Sequence, residues 1–251
     1  MWFHGFSPGK KLAAFYSGFG NVANGEEMIK AVYFDLDGTL YDRDLLVQNL
    51  IEEQFRVFQD DLQIIGKPTF IQRVIALDDH GYGDKAELYA RLAAEWNLSP
   101  ALADRLLSHF WSSYTQHCVP FEDAHATLQE LENRRIKLGV ITNGQTKWQQ
   151  QKLDSLGIAA FFDVVLISEA EGIRKPDRAI FDRALMRFNV QPAEAMFVGD
   201  HPDVDVAGAK NAGMAAVWKY VPYWEMNVDG VPTIRNLSEL LPICVRPELI
   251  E

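Results

Sequence analysis

Residues 31–39 read AVYFDLDGT, a run of four apolar residues that leads into two aspartates, a glycine and a threonine. A run that is apolar on both faces is typical of a strand in a parallel sheet that helices cover on both sides. In such sheets ligands bind beyond the carboxyl ends of the strands. The stretch therefore predicts a buried first strand that carries Asp35 and Asp37 to a site at one edge of a sheet.

Further apolar runs repeat this arrangement along the chain. They are followed by polar residues in most cases, and they comprise residues 138–141 before Thr142, 164–167 before Ser168, 195–198 before Gly199 and Asp200, and 215–218. Helical patterns separate them at residues 146–156, from Pro176 onward, and at 203–212. Strands that alternate with helices imply right-handed crossovers. We expect an α/β fold with a doubly wound, Rossmann-like parallel sheet of order 3-2-1-4-5.

One connection is too long for a simple crossover. Residues 41–120 read as several helices, since apolar residues recur there at spacings of three and four. Asp84 and Ser99 stand where helix N-caps are expected, and Pro100 suits a first helical turn. We expect a helical cap at 41–120, inserted into a catalytic core of residues 28–40 and 121–251. Its place beside the predicted site makes the cap a candidate lid.

The N-terminal stretch, residues 1–27, differs from the rest because it has two lysines, several aromatic residues and no acid before Glu26. It lacks the uninterrupted apolar block of a signal peptide. Two interpretations stay open. The stretch is a flexible extension, or it is not native and translation begins at Met28, because codons for Gly25-Glu26-Glu27 can resemble a ribosome-binding site.

The composition narrows the range of partners. The 251 residues carry a formal net charge of −11 and are 48% hydrophobic. An acidic surface argues against nucleic acid as a partner, and no apolar run approaches the roughly 18–20 residues that a membrane span needs. Cys118 and Cys244 are isolated in the sequence, which fits packing residues in a reducing compartment. We expect a cytoplasmic protein without a membrane partner.

Four short motifs in order carry a resemblance to a known family. They are Asp35-Leu36-Asp37-Gly38-Thr39, Thr142-Asn143-Gly144, Lys175 within Arg174-Lys175-Pro176-Asp177, and Gly199-Asp200 with Asp205. Together they resemble the motifs of the haloacid dehalogenase-like hydrolases, most of which are phosphatases. The resemblance extends from about Ile29 to Leu241, and the insertion between the first two motifs resembles that of the branch with a helical cap.

The resemblance implies a role for each motif. Asp35 is the nucleophile that forms an aspartyl-phosphate, and Asp37 is the acid that protonates the leaving oxygen and then the base for water. The substrate phosphate is bound by Lys175 and by the second motif, namely Thr142, Asn143 and Gly144. Physical chemistry asks for such a combination, because phosphomonoester hydrolysis needs accelerations of up to ~10²¹ and one general acid supplies only ~10²–10⁴.

The resemblance also implies a metal. Mg²⁺ takes a few carboxylates, several waters and a substrate oxygen. Its ligands would be the Asp35 carboxylate, the Asp37 backbone carbonyl and Asp200, and Asp205 would be a further ligand or would orient Lys175 and a metal-bound water. In this loop we expect a capping or turn role for Asp203.

These features favour a Mg²⁺-dependent phosphatase that hydrolyses a small soluble phosphomonoester, with a small phosphorylated metabolite as its partner. A phosphomutase of the same fold is the alternative. A haloacid dehalogenase is disfavoured because its family members lack the second acid, Asp37. A phospho-accepting module like a receiver domain is disfavoured because receivers are shorter and lack the insertion. The substrate stays open among sugar phosphates, phosphoglycolate, nucleotides and flavin mononucleotide, and the chain is a monomer or a homodimer.

Overall fold

The computed structural model describes residues 29–224, 228 and 230–244. The predictions for residues 1–28 lie outside this part of the chain. Cα packing divides the chain into two compact units, one of residues 1–41 and 120–251 and one of residues 42–119. No helix within the described residues is long and apolar enough to cross a membrane.

Six strands and eleven α-helices are assigned in the described residues. The strands are β1 (Ala31–Phe34), β2 (Lys137–Thr142), β3 (Val164–Ile167), β4 (Ala195–Gly199), β5 (Ala215–Lys219) and β6 (Thr233–Ile234). The helices are α1 (Arg43–Val57), α2 (Gln59–Leu62), α3 (Lys67–Asp78), α4 (Lys85–Trp96), α5 (Pro100–Ser113), α6 (Ala124–Asn133), α7 (Thr146–Ser155), α8 (Ser168–Glu171), α9 (Arg178–Phe188), α10 (Gly208–Asn211) and α11 (Leu240–Ile243).

The strands of the first unit form one parallel sheet of order β3-β2-β1-β4-β5-β6. The predicted α/β fold and the order of the first five strands are therefore confirmed. The sequence offered no signal for β6, because a strand of only two residues contains no apolar run. The switch in strand order falls between β1 and its neighbours, which places the carboxyl end of β1 where ligands bind in this class of sheet.

Alternate residues of the central strands bury one face of the sheet beneath α9 and α10. Tyr33 and Phe197 are almost fully buried there, and the ring of Phe197 meets that of Phe181 edge-on at 5.3 Å. The Tyr33 hydroxyl donates to the Ala184 carbonyl at 2.7 Å, which satisfies the polar end of a buried ring. Each fully buried large apolar side chain of this kind contributes about 1.5–3 kcal/mol.

The opposite face is buried by the intervening strand residues, in keeping with the two-residue period of a strand. Phe34 is fully buried and lies 6.3 Å from the ring of Phe162, and α6 packs beside β2 with Leu128 and Leu131 inside. Because both faces are covered, β1 has no charged side chain before Asp35. The core therefore fixes where the aspartates emerge.

The second unit, residues 42–119, is helical throughout and holds α1 to α5. The predicted N-caps are confirmed: Asp84 accepts from the Glu87 amide at 2.8 Å, and Ser99 accepts from the Leu102 amide at 3.2 Å. Tyr89 and Tyr114 belong to its buried core, whereas Tyr82 is exposed. Helical spacing thus produced a packed apolar core in this unit, as the sequence indicated.

A buried ion network lies inside this second unit. Arg43 donates from both terminal nitrogens to Asp78, at 2.7 and 3.1 Å, and Lys85 Nζ lies 3.0 Å from the same carboxylate. Burial alone would raise the pKa of Asp78, but the two cations lower it below its usual value. Arg43 is therefore a buried partner of Asp78.

Asp78→Ala is expected to destabilise the second unit by about 3–5 kcal/mol, because it leaves buried cations without their counter-charge. Urea unfolding followed by circular dichroism measures this. Asp61→Ala is the matched control, since Asp61 meets Arg105 at the surface, at 3.4 Å, and exposed pairs contribute about 0–1 kcal/mol. Equal unfolding midpoints for the two variants would show that the network contributes nothing to stability.

Candidate active site

The polar residues predicted for the site emerge at the carboxyl edge of the sheet. Asp35 follows β1, Thr142 ends β2 and Asp200 follows β4. The Asp35 amide donates to the Val198 carbonyl at 2.9 Å, so the pairing of β1 with β4 extends to the aspartate itself. Gly199 has no side chain, and a Cβ there would lie 2.5 Å from the Asp205 side chain. The glycine thus lets Asp205 approach the strand end.

Three of the predicted acids form one cluster. Asp35, Asp200 and Asp205 are buried, and each offers a carboxylate oxygen within 4.8 Å of the others. Lys175 Nζ reaches into it, donating to Asp35 Oδ1 at 2.6 Å and lying 2.8 Å from Asp205 Oδ1. Among the described residues the cluster does not include the Asp37 carboxylate.

The cluster is electrostatically crowded. Burial, and then the neighbouring Asp205 carboxylate, raise the pKa of Asp35 to about 7 despite the opposing Lys175 ammonium. The pKa of Asp200 lies well above its usual value for the same two reasons, burial first. The pKa of Lys175 is raised because the attraction of Asp205 and Asp35 exceeds the effect of burial. One ammonium therefore does not neutralise three buried carboxylates.

Asp37 lies apart from the cluster and accepts hydrogen bonds from three side chains. Its Oδ1 accepts from Lys152 Nζ at 2.6 Å and from the Tyr41 hydroxyl, and its Oδ2 accepts from Gln149 Nε2 at 2.8 Å. Burial raises the pKa of this carboxyl, but Lys152 and the hydrogen bonds outweigh it and lower the pKa to about 2. These contacts therefore favour the carboxylate form of Asp37.

The second motif shares a hydrogen-bond donor with Asp37. Gln149 Nε2 donates to Thr142 Oγ1 as well as to Asp37, and Thr142 is buried. Gly144 makes room for Gln149, because a Cβ at Gly144 would lie 2.9 Å from the glutamine side chain. Gln149 and Lys152 were not predicted from the sequence as residues of the site. They lie three residues apart on α7, which places them on one face of the helix that follows Thr142.

Asn143 and Gly144 serve local structure in a way the sequence did not indicate. The Asn143 side chain donates to the Lys175 carbonyl at 3.0 Å and accepts from the Lys175 amide at 2.9 Å. The Gly144 amide, expected to meet phosphate, donates to Ser168 Oγ at 3.0 Å. Asn143 thus fixes the loop that carries Lys175, while phosphate binding by either backbone amide stays a prediction.

Asp200 has further partners that the sequence did not reveal. The Tyr223 hydroxyl donates to its Oδ2 at 2.7 Å, and Trp218 Nε1 donates to its backbone carbonyl at 2.7 Å. His201 accepts at Nδ1 from the amides of Asp203 and Val204 and so caps the following turn. Asp203 is exposed in that turn and lies outside the carboxylate cluster.

Comparison with known proteins places this chain in a family. The profile of the haloacid dehalogenase-like hydrolases matches residues 32–219. A glyceraldehyde 3-phosphate phosphatase of Methanopyrus kandleri is 33% identical over 86% of this chain and 97% of its own.

Two solved structures extend the comparison. The hydrolase YfnB of Bacillus subtilis, bound to magnesium, has a TM-score of 0.66 at 21% identity over 86% of this chain and 99% of its own, so it shows the fold. A 2-haloacid dehalogenase of Pseudomonas syringae has a TM-score of 0.55 at 32% identity over 86% of this chain and 98% of its own. The chain belongs to the haloacid dehalogenase-like hydrolases.

Proposed function

We propose that this hydrolase is a Mg²⁺-dependent phosphatase that cleaves a small soluble phosphomonoester through an aspartyl-phosphate on Asp35. The observation that carries the proposal is the separation of the Asp37 carboxylate from the other three. Asp35, Asp200 and Asp205 converge on Lys175, while the Asp37 carboxylate is held separately by Lys152 and Gln149. A nucleophile and a separate proton carrier are what a two-step phosphoryl transfer requires.

The donor set fits Mg²⁺. When all three carboxyls are ionised, they leave two negative charges beside one ammonium, which is the charge that one divalent cation offsets. All three offer oxygen, the donor that this hard ion prefers. Asp35, Asp200 and the Asp37 backbone carbonyl would hold the ion, and Asp205 would be a further ligand or a partner of Lys175. The ion, when bound, supplies charge relief for the attack of one anion on another.

The side chains then divide the reaction between them. In the first step an Asp35 oxygen bonds to phosphorus as the ester P–O bond breaks, and protonated Asp37 gives its proton to the leaving oxygen. In the second step Asp37 takes a proton from water, whose oxygen attacks phosphorus and releases Asp35. Lys175 stabilises the charge on Asp35 and on the phosphoryl group throughout. The Lys152 contact favours the anionic Asp37 that the second step needs.

Asp37 also distinguishes phosphatase from dehalogenase chemistry. Halide leaves carbon without a proton, so a dehalogenase needs no acid beside its nucleophile, whereas an alkoxide leaving group does. This chain holds such an acid through contacts from Tyr41, Gln149 and Lys152. The relative from M. kandleri, named for a three-carbon phosphate ester, supports a small phosphorylated metabolite as substrate.

The test is turnover of p-nitrophenyl phosphate and a panel of metabolite phosphates, with Mg²⁺ and with EDTA. We expect turnover only with Mg²⁺. Mg²⁺ binding is measured independently of activity as a rise in Tm. A ligand at 100 times its Kd stabilises the folded protein by about 2.7 kcal/mol, which raises the Tm by about 5–11 °C for a chain of this size. Asp200→Asn should lose most of this rise.

Asp203→Asn is the matched control, since Asp203 is an exposed carboxylate in the same loop and outside the cluster. It should keep both the turnover and the Tm rise of the wild type. Phosphatase activity that is unaffected by EDTA would exclude the metal. Release of chloride from 2-chloropropionate, without turnover on any phosphate, would replace the proposal with a dehalogenase.

A further inference from the structure

We propose that Lys152 and Gln149 are positioning residues that hold the Asp37 carboxylate in place for proton transfer to the leaving group. The proposal rests on the phosphatase function proposed above and adds to it two residues from outside the four motifs. It derives from contacts on one face of α7, where both side chains reach toward the carboxyl edge of the sheet.

Both oxygens of Asp37 are engaged, which fixes the plane of the carboxylate. Lys152 and Tyr41 donate to Oδ1, while Gln149 donates to Oδ2. Lys152 Nζ also donates to Gln149 Oε1 at 2.7 Å, so the two residues orient one another. Hydrogen bonds on both sides of a carboxylate restrict its rotation, and acid catalysis depends on such orientation.

Lys152 has the burial expected of a functional cation. It is only 7% exposed, although lysine is almost never buried unless it is paired. An apolar residue would pack this helix face without the cost of desolvating an ammonium. Its contact with Asp37, at 2.6 Å, offsets that cost. The pairing of the buried Lys152 ammonium with the half-buried Asp37 carboxylate thus serves the placement of Asp37.

Gln149 links the proton carrier to the phosphate side of the site. Its Nε2 lies 2.8 Å from Asp37 Oδ2 and 2.5 Å from Thr142 Oγ1. Gln149 therefore contacts both the Thr142 hydroxyl, which is predicted to bind a phosphate oxygen, and the Asp37 carboxyl, which is predicted to protonate the ester oxygen. A single amide can set the distance between these two groups, which is the geometry that a bound phosphate ester must match.

The test compares two substrates that differ in their need for a proton. The 4-nitrophenolate of p-nitrophenyl phosphate leaves readily without one, whereas the more basic phenolate of phenyl phosphate depends on the acid. Lys152→Met also removes a cation that lowers the pKa of Asp37, so the change in charge alone would favour the protonated acid. Loss of orientation should instead lower kcat/KM for phenyl phosphate by at least about 10-fold more than for p-nitrophenyl phosphate, as part of the ~10²–10⁴ that general acid catalysis supplies. Gln149→Leu should shift the ratio in the same direction.

Lys147→Met is the matched control, because Lys147 is an exposed lysine on the same helix that lies over the Trp148 ring. It should leave both rates and their ratio unchanged. Lys152→Gln repeats the test with a polar side chain if Lys152→Met does not fold. Tm values for all variants separate a loss of structure from a loss of positioning.

The outcomes distinguish this inference from the proposed function. Absence of turnover by the wild type would overturn the phosphatase and this inference with it. Wild-type turnover together with equal losses on both substrates in the Lys152 and Gln149 variants would overturn only the positioning role, since damage to the fold lowers both rates alike. A selective loss on phenyl phosphate, with the Tm held, is the supporting result.

Discussion

Asp35→Asn is expected to abolish turnover, with a loss in kcat of at least about 10⁴-fold, because the carboxylate nucleophile is the reaction's first bond-forming group. The neutral amide is a poor nucleophile and also loses the charge that Lys175 meets at 2.6 Å. Steady-state kinetics with p-nitrophenyl phosphate measure the effect. Full activity in this variant would remove Asp35 from the mechanism.

A direct readout supports the kinetic one. Acid quenching of the wild type during turnover should leave a phosphoryl group on the peptide that contains Asp35, labile to hydroxylamine as an acyl phosphate is. The Asp35→Asn protein should carry none. Asp163→Asn is the control and should carry the phosphoryl group as the wild type does, because Asp163 lies at the opposite, amino-terminal end of β3. A phosphoryl group on another residue would relocate the nucleophile.

The same substitution should stabilise the metal-free protein, because it removes one of three mutually repelling buried carboxylates. Burial and Asp205 already raise the pKa of Asp35 to about 7, a sign that its charged form is disfavoured in the fold. A variant that gains Tm while it loses turnover has traded stability for function at this site. This is the behaviour expected of a residue that is present for its chemistry.

The sequence predicted those parts of the molecule that depend on local pattern. The apolar runs before Asp35, Thr142 and Asp200 identified strands, because a strand covered on both faces admits few polar residues. Where the strands end, the chain itself places the acids at one edge. The convergence of Asp35, Asp200 and Asp205 needed only the topology of a parallel sheet.

The remaining parts depend on contacts between distant segments. Lys152 and Asp37 are 115 residues apart, and Tyr223 meets Asp200 from a loop after β5. A lysine on an amphipathic helix is most often solvated, so the residue type of Lys152 did not indicate a place in the site. The position of Lys152 three residues after Gln149 was visible, but only the burial of both side chains in the structure shows that this face of α7 is turned inward.

Asp37→Asn is expected to lower kcat by about 10²–10⁴-fold while substrate binding is largely kept, because the residue transfers protons and does not bind the phosphoryl group. The asparagine keeps the size of the side chain, and its Oδ1 can still accept from Lys152. The loss should be larger for phenyl phosphate than for p-nitrophenyl phosphate. Asp42→Asn is the control, since Asp42 is an exposed helix cap nearby.

With p-nitrophenyl phosphate the two steps of the reaction should separate in this variant. The first step proceeds because nitrophenolate leaves without a proton, whereas the second lacks the base that takes a proton from water. Rapid mixing should therefore show a burst of nitrophenolate stoichiometric with enzyme, and phosphoryl-Asp35 should accumulate. A wild-type steady-state rate would exclude Asp37 from both proton transfers and leave its contact with Lys152 as a purely structural pair. Slow turnover of p-nitrophenyl phosphate without a burst would contradict its role as the base of the second step.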